Sequence, residues 1–317
     1  MAFSRYPKLE QLRRLEDDLL SKEVVVLEKI HGSNGSICIH QDGSYQVGKR
    51  SGFLEPGDKF CSGHKLVERY KDQLMSIFKD LIEEDGSYLR VYGEFYGGLY
   101  NCRTSEGSVK VQRMVDYSPD NEFAIFDIVI EGNRQNVLSW DRVKDICDKY
   151  GMPRVPEICR GRWCDIKKSG FDVESLISRV PFELHQLREV ENPRCEGVVI
   201  RHDDGEWGLR CKLKQRWMDD VPEPKAKKND NSDSEVRDEC MLYMNQARFI
   251  SYMSKIGVED IMDKRKMGDN IRALVEDSIE DIISNKMIRD ERFLKSLKKG
   301  LSNGARRLIV NYWNGID

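Results

Sequence analysis

The stretch VVVLEKIHGSNGSICIH, residues Val24–His40, places a lysine at the junction of two apolar runs. VVVLEKI is rich in β-branched residues and predicts one strand, and GSICIH predicts the next, with HGSN as the turn between them. A lysine at a strand end, such as Lys29, is usually a solvated surface residue. The alternative is a nucleophile, which requires a neutral amine and therefore a buried site or neighbouring cations.

Such cations lie near the end of the β-rich part of the chain, in LRCKLKQR, residues 209–216. Side chains alternate along a strand, so four cations share one face: Arg210, Lys212, Lys214 and Arg216. Glu196 starts the partner strand of the same predicted hairpin. A cationic stripe on an edge strand often serves only to prevent aggregation. One carboxylate beside a row of cations nevertheless favours a site for a metal-bound polyphosphate.

The length and composition exclude several classes of protein. With 317 residues, 39% of them hydrophobic and 34% charged, the chain can form one large and one small domain. It lacks an apolar run of roughly 20 residues, and its start lacks the apolar core of a secretory signal. We therefore expect an intracellular protein, cytoplasmic by default and without membrane contact, that acts as a monomer.

The cysteines and the net charge bear on disulfides, zinc binding and nucleic-acid binding. The nine cysteines form no Cys-x-x-Cys pair, which predicts reduced thiols rather than a disulfide framework or a zinc module. The formal net charge of −3 gives no overall attraction to nucleic acid. Binding of a polyanion would therefore depend on local basic surfaces.

Three regions follow one another along the chain. Residues 1–220 alternate short β-type runs with turn signals, and residues 221–239 form a linker rich in proline, charge and small polar residues. Residues 240–317 carry apolar residues at helical spacing, interrupted by IGVED, KMGDN and GLSNG. We predict a large β-rich domain, a linker and a small all-α domain.

Several elements of the first region have clear local signals. The pairs GSICIH/YQVGKR and EGVVIRH/WGLRCKLK each flank an Asp-Gly turn and predict hairpins. YLRVYGEFYGG and EFAIFDIVI predict two further strands. Residues 59–82 have helical periodicity, and residues 141–150 and 172–180 predict short helices. Together these signals predict an α+β fold of antiparallel sheets flanked by helices.

Six short motifs, in order, resemble those of the covalent nucleotidyltransferases. They are EKIHGSN (28–34), KRSG (49–52), VYGEFYGG (91–98), FAIFDI (123–128), CEGVVIRH (195–202) and LRCKLK (209–214). The histidine after the lysine resembles the phage-type RNA ligase 2 branch, which includes the RNA-editing ligases, and the opening YPKLEQL also fits that branch. The resemblance implies an ATP-dependent RNA ligase with a nucleotidyltransferase domain. It would join 3′-hydroxyl and 5′-phosphate RNA ends through lysyl-AMP and an RNA-adenylate, sealing nicks in duplex RNA during RNA repair.

The resemblance implies roles for five residues in the phosphate chemistry. Lys29 would attack the α-phosphate of ATP, the AMP donor, and Lys212 and Lys214 would stabilise the charge that develops there. Glu196 would hold hydrated Mg²⁺, for which Mn²⁺ would substitute. Arg50 would contact phosphate near the reacting ends. Lys29, Lys212, Lys214 and Arg50 are thus the implied catalytic residues.

The remaining implied residues recognise the nucleotide. Glu94 would bind the ribose hydroxyls, and His31 would order the nucleotide or the pyrophosphate. Phe126 would stack on adenine, although the alternation of FAIFDI leaves Phe123 as an alternative. The rest of the implied nucleotide-binding set is Glu28, Ile30 and Asn34, with Asn34 near the phosphates. Gly35 stands where this branch tends to place a larger side chain.

Other functions stay open from the sequence. A DNA ligase or an mRNA guanylyltransferase of the same superfamily usually carries a β-barrel after the last motif, whereas this chain continues with helical patterns. A non-catalytic RNA-binding relic would be expected to have lost a catalytic residue. The end of the chain carries cations that would track an RNA backbone or form a solvated helix face: Arg289, Arg292, Lys295, Lys298, Lys299, Arg306 and Arg307. Nick sealing and single-strand joining share their first step and are not distinguished.

Overall fold

A computed structural model describes residues 3–83, 86–100, 103–112, 115–180, 194–204, 207–215, 240–284 and 291–315, with the side chains of residues 284, 291 and 292 excepted. The chain divides into two compact units, Met1–Arg216 and Trp217–Asp317. The predicted linker, 221–239, lies outside the described residues, so its boundaries stay a prediction.

Two β-sheets form the first unit. The strands in chain order are β1 Glu10–Gln11, β2 Glu23–Lys29, β3 Ser33–Ile39, β4 Tyr45–Lys49, β5 Gly52–Phe53, β6 Tyr88–Leu99, β7 Ser118–Glu131, β8 Asn136–Val137, β9 Glu157–Arg162, β10 Gly197–His202 and β11 Leu209–Lys214. The first sheet has the order β1-β11-β10-β2-β9 and the second has the order β5-β4-β3-β6-β7-β8. All pairs are antiparallel except β1 with β11.

The predicted hairpins are present for local reasons. Strands β3 and β4 are joined across an Asp-Gly turn in which Gly43 has φ +79°, a conformation that glycine adopts without strain. Strands β10 and β11 form the other predicted hairpin, with Gly197 opposite Lys214. Strands β6 and β7 pair over most of their length. The chain leaves the first sheet after Lys29 and enters the second at Ser33, so the opening motif connects the two sheets.

Five helices of the described part cover this unit: α1 Leu12–Leu19, α2 Gly63–Arg69, α3 Lys71–Leu81, α4 Trp140–Tyr150 and α5 Trp163–Lys168. The helix predicted from residue 141 is α4, capped by the Ser139 hydroxyl and ended by Gly151 at φ +65°. The apolar pattern of residues 59–82 corresponds to a 3₁₀ turn, α2 and α3.

The helix predicted over residues 172–180 is replaced by a short 3₁₀ turn, Val173–Ser175, and extended chain. The Ser178 hydroxyl and the Arg179 amide donate to the buried Glu28 carboxylate at 2.6 and 2.7 Å. A helix would need that amide for its own hydrogen bonds. A contact made 150 residues away along the chain therefore overrides the local helical preference.

Helices also form the second unit: α6 Gln246–Ile256, α7 Val258–Met262, α8 Met267–Ser284 and α9 Glu291–Trp313. Its buried core includes Phe249, Leu274, Leu297, Leu301 and Ile309. The α+β class with a helical C-terminal part, predicted from the sequence, is confirmed. Helix α6 begins later than its apolar pattern suggests because the Asn245 side chain caps it, accepting from the Arg248 amide at 2.9 Å.

The predicted break at GLSNG is wrong, because α9 runs through it without interruption. Leu297, Leu301 and Ala305 are fully buried at helical spacing, so packing of this face compensates for the two glycines. Gly304 has a packing role, since a Cβ there would lie 2.8 Å from the Met244 side chain. The break at IGVED is present at Gly257, where φ is +95°.

Candidate active site

Lys29 ends β2 at the place where the chain crosses between the sheets. Its neighbour across the first sheet is Gly197, which in turn pairs with Lys214 on β11. Paired residues point to one face, so Lys29 and Lys214 flank a position that carries no side chain. A Cβ at Gly197, which has φ +153°, would lie 2.2 Å from the Leu213 carbonyl oxygen. The glycine therefore permits the close strand pairing and leaves space between the two amines.

Glu196 lies at the centre of the charged cluster. Its carboxylate is 2.8 Å from the Lys29 amine and 3.5 Å from the Lys214 amine, and the second oxygen is 3.5 Å from His31 Nδ1. Burial opposes ionisation of Glu196, but Lys29, Lys214 and His31 together hold its pKa well below its ordinary range. The cluster thus contains an ionised, nearly inaccessible carboxylate between two lysines.

The turn after Lys29 is held by the second sheet. The Gly32 amide donates to Glu94 of β6 at 3.1 Å, and Glu94 pairs with Asn34 of β3. Burial and the nearby Glu196 carboxylate raise the pKa of Glu94 to about 8, against the opposing effect of Lys29. At neutral pH this side chain is therefore mostly a neutral carboxylic acid, which both donates and accepts hydrogen bonds.

The raised pKa of Glu94 predicts a pH dependence of stability. Because the folded protein binds this proton more tightly than the unfolded chain, stability should fall as the pH rises from about 4.5 to about 8. Glu94→Gln should abolish this loss, and we expect the variant to gain about 3 to 4 kcal/mol over the natural chain between pH 5 and pH 8. Urea unfolding at several pH values measures it.

Glu55→Gln is the matched control, because Glu55 is an exposed carboxylate. It should leave the pH dependence unchanged. If the free energies of unfolding of Glu94→Gln and the natural chain differ by the same amount at pH 5 and at pH 8, Glu94 is not protonated at neutral pH.

Two buried residues that the motifs did not indicate also contact the turn. The His31 amide donates to the Tyr117 hydroxyl, and the Gln112 side chain donates to the Gly32 carbonyl, both at 2.9 Å. The turn that follows Lys29 is thus fixed through its backbone. His31 Nε2 is itself buried, with no hydrogen-bond partner among the described residues. An unsatisfied buried nitrogen next to the lysine cluster is suited to a polar ligand.

The two candidate aromatics of FAIFDI have different surroundings. Phe123 is fully buried, with its ring centroid 4.6 Å from that of Phe95. Phe126 is the extra residue of a β-bulge, since Tyr92 pairs with Asp127 and Gly93 with Ile125. It is partly exposed, and Tyr6 contacts its ring edge-on at 5.0 Å between centroids. Of the two rings, Phe126 is the accessible one.

The row of cations on β11 is not a uniform phosphate-binding stripe. Arg210 forms an ion pair with the buried Asp127 at 2.7 Å, and Asp127 also contacts Arg201 at 3.1 Å and accepts from the Tyr6 hydroxyl at 2.7 Å. These contacts connect β7 of the second sheet to β10 and β11 of the first. Arg216 lies outside the described residues. Arg210 shares a face of the sheet with Lys29, Lys212 and Lys214, but its ion pair with Asp127 sets it apart from the two lysines.

Comparison with known proteins agrees with this geometry. The model of the RNA ligase family matches residues 22–217, which is more than half of the chain. The chain belongs to the RNA ligase family. The resemblance inferred from the motifs is thereby confirmed.

Among its relatives, mitochondrial RNA-editing ligase 1 of Trypanosoma brucei brucei is 28% identical over 216 residues, a match that covers 58% of this chain and 45% of the relative. The chain thus spans about half the length of the curated relatives that it matches. Two solved structures of Naegleria gruberi RNA ligase, an apo mutant and a complex with pyrophosphate, each cover 68% of this chain and 56% of their own. Their TM-scores are 0.47 and 0.48 at 16% and 15% identity.

Not every residue implied by the family motifs joins the cluster. Ile30 is buried in the turn, and Lys212 is partly buried on β11. Glu28 lies on the face of β2 opposite Lys29, bound by Ser178 and Arg179. Arg50 is exposed in the turn after β4. The structure therefore brings together Lys29, His31, Glu94, Glu196 and Lys214, with Asn34 beside Glu94, and leaves Glu28 and Arg50 apart from them.

The glycines of VYGEFYGG allow other parts of the protein to approach the backbone closely. A Cβ at Gly93 would lie 2.5 Å from the Phe123 ring, and one at Gly98, with φ +78°, would lie 2.1 Å from the Val109 carbonyl oxygen. Gly35, where the chain departs from the branch that its motifs resemble, is required by Phe95, whose ring would lie 2.2 Å from a Cβ.

Three further points concern metal-binding clusters, membrane-spanning helices and the cations of the tail. Within the described residues, no group of three or more His, Cys, Asp and Glu side chains is arranged to hold a metal ion. Across the same part of the chain, no helix is long and apolar enough to span a bilayer. The tail cations of α9 with described side chains, Lys295, Lys298, Lys299, Arg306 and Arg307, are exposed. Both an RNA track and a solvated face remain predictions for them.

Proposed function

We propose that this chain is an ATP-dependent RNA ligase that joins 3′-hydroxyl and 5′-phosphate ends through a covalent lysyl-AMP. One observation carries the proposal: the Lys29 amine lies 2.8 Å from the buried Glu196 carboxylate, beside Lys214, in a region that matches the RNA ligase family. A solvated lysine at a strand end would have neither neighbour. The cluster provides a nucleophile and a fixed positive charge within a few ångströms.

In the first step, the neutral Lys29 amine attacks the α-phosphorus of ATP. A P–N bond forms, the bond from the α-phosphorus to the bridging oxygen breaks and pyrophosphate leaves. The proton that the amine loses passes to water. The ion pair with Glu196 must open first, because a carboxylate contact favours the charged form of a lysine. Lys214 and Lys212 remain on the same face to stabilise the charge that develops on the phosphate.

A divalent metal ion fits the chemistry of this cluster. Glu196 would provide one carboxylate, and its low pKa keeps that ligand ionised. Mg²⁺ retains several waters and is commonly bound by one or two carboxylates and substrate phosphates, so a site with one protein carboxylate suits it. When bound, the ion neutralises polyphosphate charge.

Nucleoside recognition is proposed for the second sheet. Glu94 has a carboxyl group suited to the ribose hydroxyls, and Phe126 offers an accessible ring for adenine. His31 Nε2, buried without a partner among the described residues, would bind a phosphate or a sugar oxygen. Sealing then follows by transfer of AMP to an RNA 5′-phosphate and attack of the 3′-hydroxyl, which releases AMP. We propose that the substrate is a nick in duplex RNA and that the protein acts as a monomer.

A labelling experiment tests the proposal. The protein, freed of bound AMP by pyrophosphate, is incubated with Mg²⁺ and ATP or GTP labelled at the α-phosphate, then denatured and separated on a gel. We expect label from ATP alone to stay on the chain. Addition of a nicked RNA duplex should discharge it and produce a sealed strand, faster than the matching nicked DNA duplex or a single-stranded RNA.

Each other result contradicts part of the proposal. Label from GTP would indicate a guanylyltransferase, and faster sealing of nicked DNA would indicate a DNA ligase. Faster joining of single-stranded RNA would exclude the nick as the preferred substrate. Absence of covalent label from either nucleotide would exclude the lysyl-AMP mechanism and favour an RNA-binding protein without catalytic activity.

A further inference from the structure

Two buried side chains outside the family motifs hold the backbone of the turn that follows Lys29. Tyr117 accepts a hydrogen bond from the His31 amide at 2.9 Å, and Gln112 donates one to the Gly32 carbonyl at 2.9 Å. Both side chains are almost inaccessible, with 1% and 6% of their surface exposed. The two bonds flank His31 and Gly32, which precede Ser33, the first residue of β3 in the second sheet.

The segment that carries Gln112 is itself fixed to β6 and β7. The Val111 amide donates to the Gly97 carbonyl at 3.1 Å, and the side chain of Asn121 exchanges two hydrogen bonds with the backbone of Val109, at 2.6 and 2.7 Å. Gly98 admits this close approach, since a Cβ there would collide with the Val109 carbonyl. Gly98 of the third motif therefore allows residues 109–112 to pack against β6, from which Gln112 reaches the turn after Lys29.

The hydroxyl of Tyr117 is suited to this role. Burial, and then the Glu28 carboxylate, raise the pKa of Tyr117 well above its ordinary range, so the hydroxyl stays neutral. Its ring packs edge-on against Tyr96, with centroids 5.6 Å apart. A neutral hydroxyl on a packed ring is a fixed acceptor for the His31 amide. Tyr117 does not reach the reacting atoms, so it acts through the turn.

We propose that Tyr117 is a positioning residue that sets the attack geometry of Lys29, with Gln112 as the second anchor of the same turn. This inference rests on the proposed lysyl-AMP function. A nucleophile must approach phosphorus in line, and a displacement of about 1 Å lowers the rate about 100-fold. The turn fixes both the lysine and the His31 ring that contacts Glu196, so both depend on the same two hydrogen bonds.

Tyr117→Phe tests the inference by removing one oxygen while keeping the ring. The full chain is assayed for the rate of covalent labelling across a range of ATP concentrations. It is then assayed for sealing of a nicked duplex whose 5′ end has already been adenylylated, a step that needs no lysine nucleophile. We expect the maximal labelling rate to fall by about 10- to 100-fold, with KM for ATP and the sealing rate each within about threefold of the natural protein.

Two further variants keep the result interpretable. Tyr96→Phe removes a hydroxyl from the neighbouring buried ring and should leave labelling unchanged. Gln112→Leu removes the donor to the Gly32 carbonyl and should reproduce the selective loss of labelling, which also serves if Tyr117→Phe fails to fold.

The outcomes separate this inference from the proposed function. If the natural protein is not labelled, the lysyl-AMP function fails and this inference falls with it. If the natural protein is labelled and Tyr117→Phe is labelled within about threefold of its rate, the positioning role is wrong. An equal fall in labelling and in sealing also overturns it, because that is the signature of a general structural defect. Selective loss of labelling in both Tyr117→Phe and Gln112→Leu supports it.

Discussion

Lys29→Ala should abolish covalent labelling by ATP, a loss of about 10⁴-fold or more, because no other group can form the lysyl phosphoramidate. The fold should survive the change. Glu196 keeps Lys214 and the His31 ring as partners at 3.5 Å, so its buried charge stays compensated. The measurement is the amount of label on the denatured chain, together with the affinity for ATP, which should change far less.

Lys29→Arg is the more exacting variant. Arginine keeps a cation beside Glu196 but is always protonated and does not act as a nucleophile. It should be as inactive in labelling as the alanine variant and as stable as the natural chain. Lys22→Ala, at the other end of β2, is the matched control and should be labelled normally. Labelling of Lys29→Arg would show that the AMP is held by another residue.

Asp127→Asn should lower the free energy of unfolding by about 3–5 kcal/mol, because it leaves two buried arginines facing a single carboxylate. Asp127 is 1% exposed and contacts Arg210 at 2.7 Å and Arg201 at 3.1 Å, while Asp203 is 2.6 Å from Arg201. The amide is nearly isosteric, so the effect combines the lost charge with an NH₂ group that must face a donor, since both oxygens of Asp127 accept hydrogen bonds. Urea unfolding of the full chain measures the difference.

The loss from Asp127→Asn should be specific to its buried partners. In a double-mutant cycle, Arg210→Met should lower the free energy of unfolding much less in the Asp127→Asn background than in the natural chain, because it then removes an unpaired cation. Asp148→Asn removes an exposed carboxylate that contacts Arg154 at 2.9 Å and should cost less than about 1 kcal/mol. Equal effects of Asp127→Asn and Asp148→Asn would contradict a structural role for the buried cluster.

Local signals predicted much of the fold correctly. The Asp-Gly turns predicted two hairpins because the turn and its flanking β-branched runs are adjacent in the chain. The α4 helix was predictable from Asp141 onward because its cap, its apolar spacing and its terminal glycine lie within 13 residues. β9 was missed because EICRGR has neither alternation nor a run of β-branched residues, and it forms a strand by pairing with β2.

The errors have one physical cause, which is competition from distant contacts. Residues 172–180 do not form a helix because Glu28 binds their backbone and a side chain. GLSNG does not break α9 because the second unit's core packs around it. Arg210 does not face a phosphate because Asp127, 83 residues earlier, forms an ion pair with it. A prediction from local preference has no access to any of these partners.

For the candidate site, the order and spacing of motifs determined the family, and the family model agrees over residues 22–217. The motifs also identified Lys29, Glu94, Glu196 and Lys214 as candidate site residues. Charged residues at fixed positions within short motifs can be recognised without a structure. The tertiary structure alone decided which of them meet. Glu28 and Arg50 carry the same motif support, yet one faces the opposite side of β2 and the other is exposed.

The sequence by itself determined the class of fold, the two hairpins and the family, because each depends on residues that are neighbours in the chain or on short motifs. Only the tertiary structure decided the charge state of Glu94, the accessibility of Phe126 and the support of the lysine's turn by Tyr117 and Gln112. Burial and hydrogen bonding depend on atoms brought together from 80 or more residues apart. Those properties follow from packing, which no short stretch of sequence records.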